Sequence, residues 1–157
     1  MSKILFLDFD GVLNGLHWLT NPELQAKLRS ATSMFERFAQ ELDPVLVNRV
    51  DQFVIDNDLK VVICSSWRIL NTLDELKQYL TLSGWTSDTV IDITPKSPKG
   101  FRGDDINLWL DAHPEVTEYV IFDDGSDFYD YQKLIQTNIE IGVTSDDIKR
   151  AQEVFKK

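Results

Sequence analysis

The stretch ILFLDFDGVLNG, residues 4–15, sets four apolar side chains in a row, then places Asp8 and Asp10 on either side of Phe9 with Gly11 next. An unbroken apolar run of this length reads as a strand buried on both faces of a parallel sheet. Two carboxylates at its end add nothing to its packing. Charges in such a place are retained for pairing or for holding a cation.

Runs of the same kind recur at Leu59–Cys64, Val90–Ile93, Tyr119–Phe122 and Ile139–Val143. Helix-period segments lie between most of them. One opens at Asp43-Pro44, a cap followed by a first-turn proline, and keeps Leu46, Val50, Phe53 and Val54 on one face. Others are expected over Leu70–Leu82, over Asp104–Ala112 ahead of Pro114, and after Ser145 as a cap, with Ile148, Ala151, Val154 and Phe155 facing inward. Strand–helix alternation predicts a three-layer, Rossmann-like α/β sandwich on a mostly parallel five-stranded sheet. The 157 residues suit one domain. Residues 14–42 exceed an ordinary βα loop and are expected to form a small helical or loop insertion, a minimal cap carrying Trp18, Phe35 and Phe38.

Acidic residues outnumber basic ones 26 to 16, a formal charge of -10 that repels nucleic acids and anionic membranes unless a cation or local basic group intervenes. The lone cysteine, Cys64, permits no intrachain disulfide and reads as a small buried hydrophobe. No stretch approaches the ~20 apolar residues of a membrane span, and no signal-peptide pattern opens the chain. The expectation is a cytoplasmic protein with no membrane association and no obligate protein partner.

In a parallel sheet the strand ends converge on one edge, where ligands bind. That edge would gather Asp8 and Asp10, then Ser65 and Ser66 of VVICSSWR, and Asp123 and Asp124 of YVIFDDGSD, with Asp127 just beyond. PKSPKGFRGDDI adds Lys96, Lys99 and Arg102 ahead of a helix. Two like charges ~4 Å apart repel by about 4 kcal/mol at an effective dielectric of about 20, so the acids imply either protonation or a divalent cation. Oxygen-only donors favour Mg²⁺, while His17 and His113 are too isolated for a zinc site. Phosphoryl transfer fits such a set: a carboxylate nucleophile, a second acid, a cation and a positive side chain. The bland readings stand beside this one. Either serine could cap the following turn, Asp127 could order its loop, Lys96 could be merely solvated, Arg68 could be a structural ion pair, and Trp67 and Trp109 could be core or rim packing.

DFDGV resembles the first motif of the haloacid dehalogenase (HAD) superfamily, VVICSS its second and VIFDDGSD its fourth, in order along essentially the whole chain. SSWR, RGDDINLWL and YVIFDDGSD resemble more closely the small HAD domains of Swiss Army Knife RNA-repair proteins. The resemblance implies Asp8 as nucleophile and Asp10 as general acid/base. It implies Ser65 on the phosphoryl oxygens, and Asp8, the Asp10 carbonyl, Asp123 and Asp124 around Mg²⁺. For the third motif Arg102 aligns better, whereas Lys99 is the usual chemical type, and both are candidates. Ser66, Gly11 and Trp18 are candidate substrate contacts.

The expected substrate is a nucleotide or nucleic-acid terminal phosphate, since a small insertion leaves an open site and aromatic rings can stack a base. A generic small phosphate ester is the alternative, favoured by the charge. From other classes, a non-catalytic phosphate- or Mg²⁺-binding module is opposed by the intact Asp8/Asp10 pair. A receiver-type domain carries its phosphoacceptor on the third strand, and no Asp ends a third strand in that way here.

Overall fold

The computed structural model describes residues 3–156. Strand β1 (Lys3–Leu7) leads into three short helices, α1 (Leu16–Leu19), α2 (Pro22–Ser30) and α3 (Met34–Glu41), and then α4 (Pro44–Asp56). Strand β2 (Leu59–Ile63), a 3₁₀ turn over Ser66–Ile69, α5 (Leu73–Leu82) and β3 (Val90–Ile93) follow. The chain continues through α6 (Arg102–Asp111), β4 (Glu118–Asp123), β5 (Leu134–Gln136) and α7 (Ser145–Phe155). The sheet order is β3-β2-β1-β4-β5, and every pairing is parallel. This is the α/β architecture expected from the alternation.

Alternation along β1 divides the core. Leu5 and Leu7 face the larger apolar layer, with Val50, Phe53 and Val54 of α4, Leu76 and Leu80 of α5 and Ala151 of α7. Ile4 and Phe6 face a smaller layer with Ile106 and Trp109 of α6. β1 therefore sits at the centre, buried from both sides. Phe6 meets Trp109 edge-on at 5.4 Å.

Local chemistry fixes the element ends. Asn21, Ser33 and Asp43 each accept backbone N–H bonds at the start of α2, α3 and α4. Several expectations shift, α6 beginning at Arg102 ahead of the expected Asp104 among them. α7 is capped by Thr144, one residue before Ser145, in a reciprocal box with Asp147. α5 begins at Leu73 behind a Thr72–Glu75 box, because residues 66–69 wind into a 3₁₀ turn. The fifth strand is Leu134–Gln136, while Ile139–Val143 is a turn closed by an Asn138–Gly142 bridge, with Ile139 and Ile141 exposed. Gly142 at φ +73° lies against Leu46 and the Val12 carbonyl, so turn geometry overrides the apolar pattern there.

Candidate active site

β1 delivers Asp8 to the carboxyl edge, where the Asp8 side chain accepts from Phe9 N–H at 2.8 Å. β4 ends beside it with Asp123, followed by Asp124. Carboxylate oxygens of Asp8, Asp123 and Asp124 lie within 4.8 Å of one another. Asp8 and Asp123 are buried, at 4% and 1% exposure. Asp8 of the early acidic pair thus meets both acids of the late pair at the ends of adjacent strands.

A cation already reaches this trio from the protein. Arg102, in the first turn of α6, sets one guanidinium nitrogen 2.6 Å from Asp123 Oδ2 and 3.3 Å from Asp8 Oδ2. Burial pushes the Asp8 carboxyl well above the usual carboxylate range. Repulsion from Asp123 adds to this, and Arg102 offsets only part of it. Burial likewise raises Asp123 against the opposing pull of Arg102. For Arg102, burial works against the charge, yet Asp8 and Asp123 more than offset it and hold the guanidinium protonated. The all-oxygen donors of the trio suit a hard divalent cation such as Mg²⁺. Of the three, Asp124 has the carboxylate least engaged by other protein groups, and the Asp8 oxygens face Phe9 N–H and, at 3.3 Å, Arg102. Asp123 already accepts from Arg102 through one oxygen and from Gly125 N–H at 2.8 Å through the other.

Of the two candidates for the positive group, Arg102 is brought to the carboxylates. Lys99 is exposed and lines a different hollow with Asp104, Asn107 and Tyr129. Asp127 orders the loop: its side chain accepts from Arg102 N–H and its carbonyl from Gly103 N–H, supplying from outside the cap that Phe101 lacks. Arg68 is structural. Its guanidinium pairs with buried Asp105 at 2.8 Å and donates to the Cys64, Ser65 and Thr94 carbonyls, fixing the loop behind β2.

Ser65 is fully buried at the end of β2, where its hydroxyl accepts from Trp67 N–H and caps the 3₁₀ turn. Ser66 is exposed beside it. Gly11 has a φ of +78°, and a Cβ there would fall 2.5 Å from the Asp124 carboxyl carbon. Only glycine lets the β1 loop and the Asp124 carboxylate share this space. Thr137 donates to the Gly11 carbonyl at 2.6 Å, and Gln136 to the Asp124 carbonyl, tying the loop to β5.

The Asp10 carboxylate stands outside the trio and is gripped by two donors that the sequence reading missed. Trp67 Nε1 donates to Oδ2 at 3.0 Å, and Asn14 Nδ2 to Oδ1 at 3.1 Å. Asn14 lies two residues past the end of the first motif, which was its one available signal. Trp18 lies apart from the trio. Backbone bonds from Leu16 and His17 to Ile139 and Glu140 fix α1, and Trp18 lines a separate cleft of about 330 Å³ with Asn21, Leu24 and Leu42. None of the acidic trio lines that cleft. A groove of about 720 Å³ does reach Asp124, running past Thr137 and Ile139 to Arg150.

Among the described residues no helix is long and apolar enough to cross a membrane. Neither a curated protein nor a solved structure matches the chain. A family model does, over residues 4–148, and its span takes in both acidic pairs, the Ser65 turn and Arg102; the chain belongs to the family described as the HAD domain in Swiss Army Knife RNA repair proteins.

Proposed function

We propose that this chain is a Mg²⁺-dependent phosphomonoester hydrolase working through an aspartyl-phosphate. The observation that carries the reading is the meeting of Asp8, Asp123 and Asp124 within 4.8 Å, with Arg102 against two of them. Asp8 attacks phosphorus through a carboxylate oxygen. As the bond from phosphorus to the leaving oxygen breaks, Asp10 gives that oxygen a proton. Asp10 then takes a proton from the water that attacks the acyl phosphate, which frees inorganic phosphate and regenerates Asp8. Arg102 balances charge on the phosphoryl oxygens, and Ser65 sits at the adjacent strand end to orient them. Mg²⁺ held by Asp8 and Asp124, with the Asp10 carbonyl and Asp123 assisting, would supply further charge stabilisation there.

The lead substrate is a nucleotide or nucleic-acid terminal phosphate. The groove from Asp124 to Arg150 is open enough for a polymer end to lie along it, and the family's description points the same way. A small phosphate ester is the second reading, favoured by the net charge of -10, which weakens polyanion binding. Hydrolysis of p-nitrophenyl phosphate is expected with Mg²⁺ and not with EDTA. Asp8→Asn abolishes turnover while the circular-dichroism spectrum is kept. Activity in Asp8→Asn equal to that of the unmodified chain would remove the nucleophile assignment. A panel of mononucleotides and of 5′- and 3′-phosphorylated oligonucleotides ranks the two substrate readings: the lead reading fails if simple alkyl phosphates are the better substrates.

A further inference from the structure

The insertion of residues 14–42 touches the acid/base carboxylate through two relays, and we infer that it serves to aim Asp10, with Trp67 and Asn14 as the positioning residues. The inference rests on the phosphatase reading above. It assigns the insertion a mechanical task instead of that of a substrate cover.

Each Asp10 oxygen has its own donor, so rotation of the carboxylate about its bond to Cβ breaks both hydrogen bonds. The first donor is held by stacking. Trp67, 5% exposed, lies edge-on to Phe9 at 5.2 Å and against Phe38 of α3 at 4.6 Å. Tyr79 stands on its other flank at 6.0 Å and is itself covered by Phe35 and Phe38 of α3. Asn71 donates to the Trp67 carbonyl and accepts from the Tyr79 hydroxyl, which ties the Trp67 backbone to α5. Because an indole N–H only donates, the Asp10 oxygen facing it accepts in that bond, and the carboxyl's remaining lone pairs stay free to carry the transferred proton.

The second donor is held by its own amide. Asn14 is fully buried, accepts from Gly11 N–H at 3.0 Å, and spends its amide nitrogen on Asp10 and on the Glu41 carbonyl, each at 3.1 Å. Flipping the amide would set oxygen against two acceptors, so one orientation survives. Glu41 is the last residue of α3, and Phe38 lies one turn before it. One short helix therefore supports both donors. A general acid acts only within hydrogen-bond reach of its target, and a carboxylate turned away loses that contribution.

The test exploits leaving-group chemistry. p-Nitrophenolate departs without a proton, whereas an alkoxide requires one, and kcat/KM reports the step that breaks the phosphorus–oxygen bond. Trp67→Phe keeps the ring and removes the N–H. In Mg²⁺ buffer it should lower the ratio of kcat/KM for glycerol phosphate to that for p-nitrophenyl phosphate by about 10-fold or more, a fraction of the ~10²–10⁴ that general acids contribute. Phe38→Leu keeps the indole and removes only its support from α3. It should lower the same ratio by less, and it decides the matter alone if Trp67→Phe does not fold. Equal losses on both esters, with the ratio of the unmodified chain, would make Trp67 and Phe38 ordinary packing and overturn the inference while leaving the phosphatase reading intact. No hydrolysis of either ester by the unmodified chain would overturn both.

Discussion

Arg102 is the residue on which the electrostatics of the carboxylate edge turn. Asp8 and Asp123 are buried side by side, and the guanidinium between them is the group that lets both remain near one another without a bound cation. Lys99, three positions earlier, is fully outside this arrangement. Arg102→Ala is expected to lower kcat for a phosphate ester by about 10²–10³, the scale seen when one preorganised charge-stabilising donor is removed. Lys99→Ala should stay within about threefold, as exposed charges seldom contribute more than ~1 kcal/mol. Steady-state kinetics of the two variants decide the assignment, and a larger loss in Lys99→Ala would reverse it. The sequence made both residues visible and favoured Arg102 only slightly, since a firm ranking depends on where α6 begins. Capping by Asp127 from the β4 loop draws the first turn back to Arg102, a contact across 25 residues that no local pattern carries.

The elements that read clearly from the sequence are those whose burial is complete. β1 and β4 are uninterrupted apolar runs ended by acids, so strand, direction and chemistry appear together. β5 is three residues long with one buried side chain, Ile135, and lies at the sheet edge, too little apolar surface to stand out against the Ile139–Val143 turn. Asn14 and Trp67 stayed hidden for a related reason: Trp67 is core by packing and a donor by one atom, and its acceptor is 57 residues away. A further long-range tie joins α4 to the loop before β3. Asp51, 4% exposed, accepts from the backbone N–H groups of Thr86 and Ser87 and from both hydroxyls, at 2.5–3.3 Å. This one carboxylate sets the path by which α5 returns to the sheet. Asp51→Ala should destabilise the chain by about 2–3 kcal/mol, since four charge-assisted bonds are lost while the donors retain partial access to water. Urea unfolding measures it, and a loss below about 0.5 kcal/mol would mean the loop is held by packing alone.

At the scale of the whole molecule, the fold concentrates charge where it is least tolerable. A chain already at -10 buries two carboxylates and half-buries a third on one edge, so stability is given up for a site that a cation or an anionic ligand's counterion completes. The sign of the pH dependence follows. The folded-state pKa of Asp8 lies well above its ordinary value of 3.8. The folded state therefore favours the protonated acid, and stability falls as pH rises from about 4 through that raised value. Asp8→Asn removes this contribution without changing shape. In metal-free buffer the melting temperature of Asp8→Asn minus that of the unmodified chain should be near zero at about pH 4 and grow with pH. The gap should be clearly positive at pH 7, where each 1 kcal/mol moves a domain of this size by roughly 2–4 °C. Saturating Mg²⁺ should narrow the gap at pH 7, because the ion binds the folded unmodified chain through Asp8 and stabilises it by mass action. Arg102 pulls the other way, and its pairing with Asp8 is the part of the arrangement that Asp8→Asn sacrifices; burial and Asp123 outweigh it. Differential scanning fluorimetry across pH 4–8, with and without Mg²⁺, reads both effects. A difference that stays flat with pH, or an Asp8→Asn chain less stable than the unmodified one at pH 7, would show that Arg102 fully neutralises the edge and that no strain is held there for a metal ion to relieve.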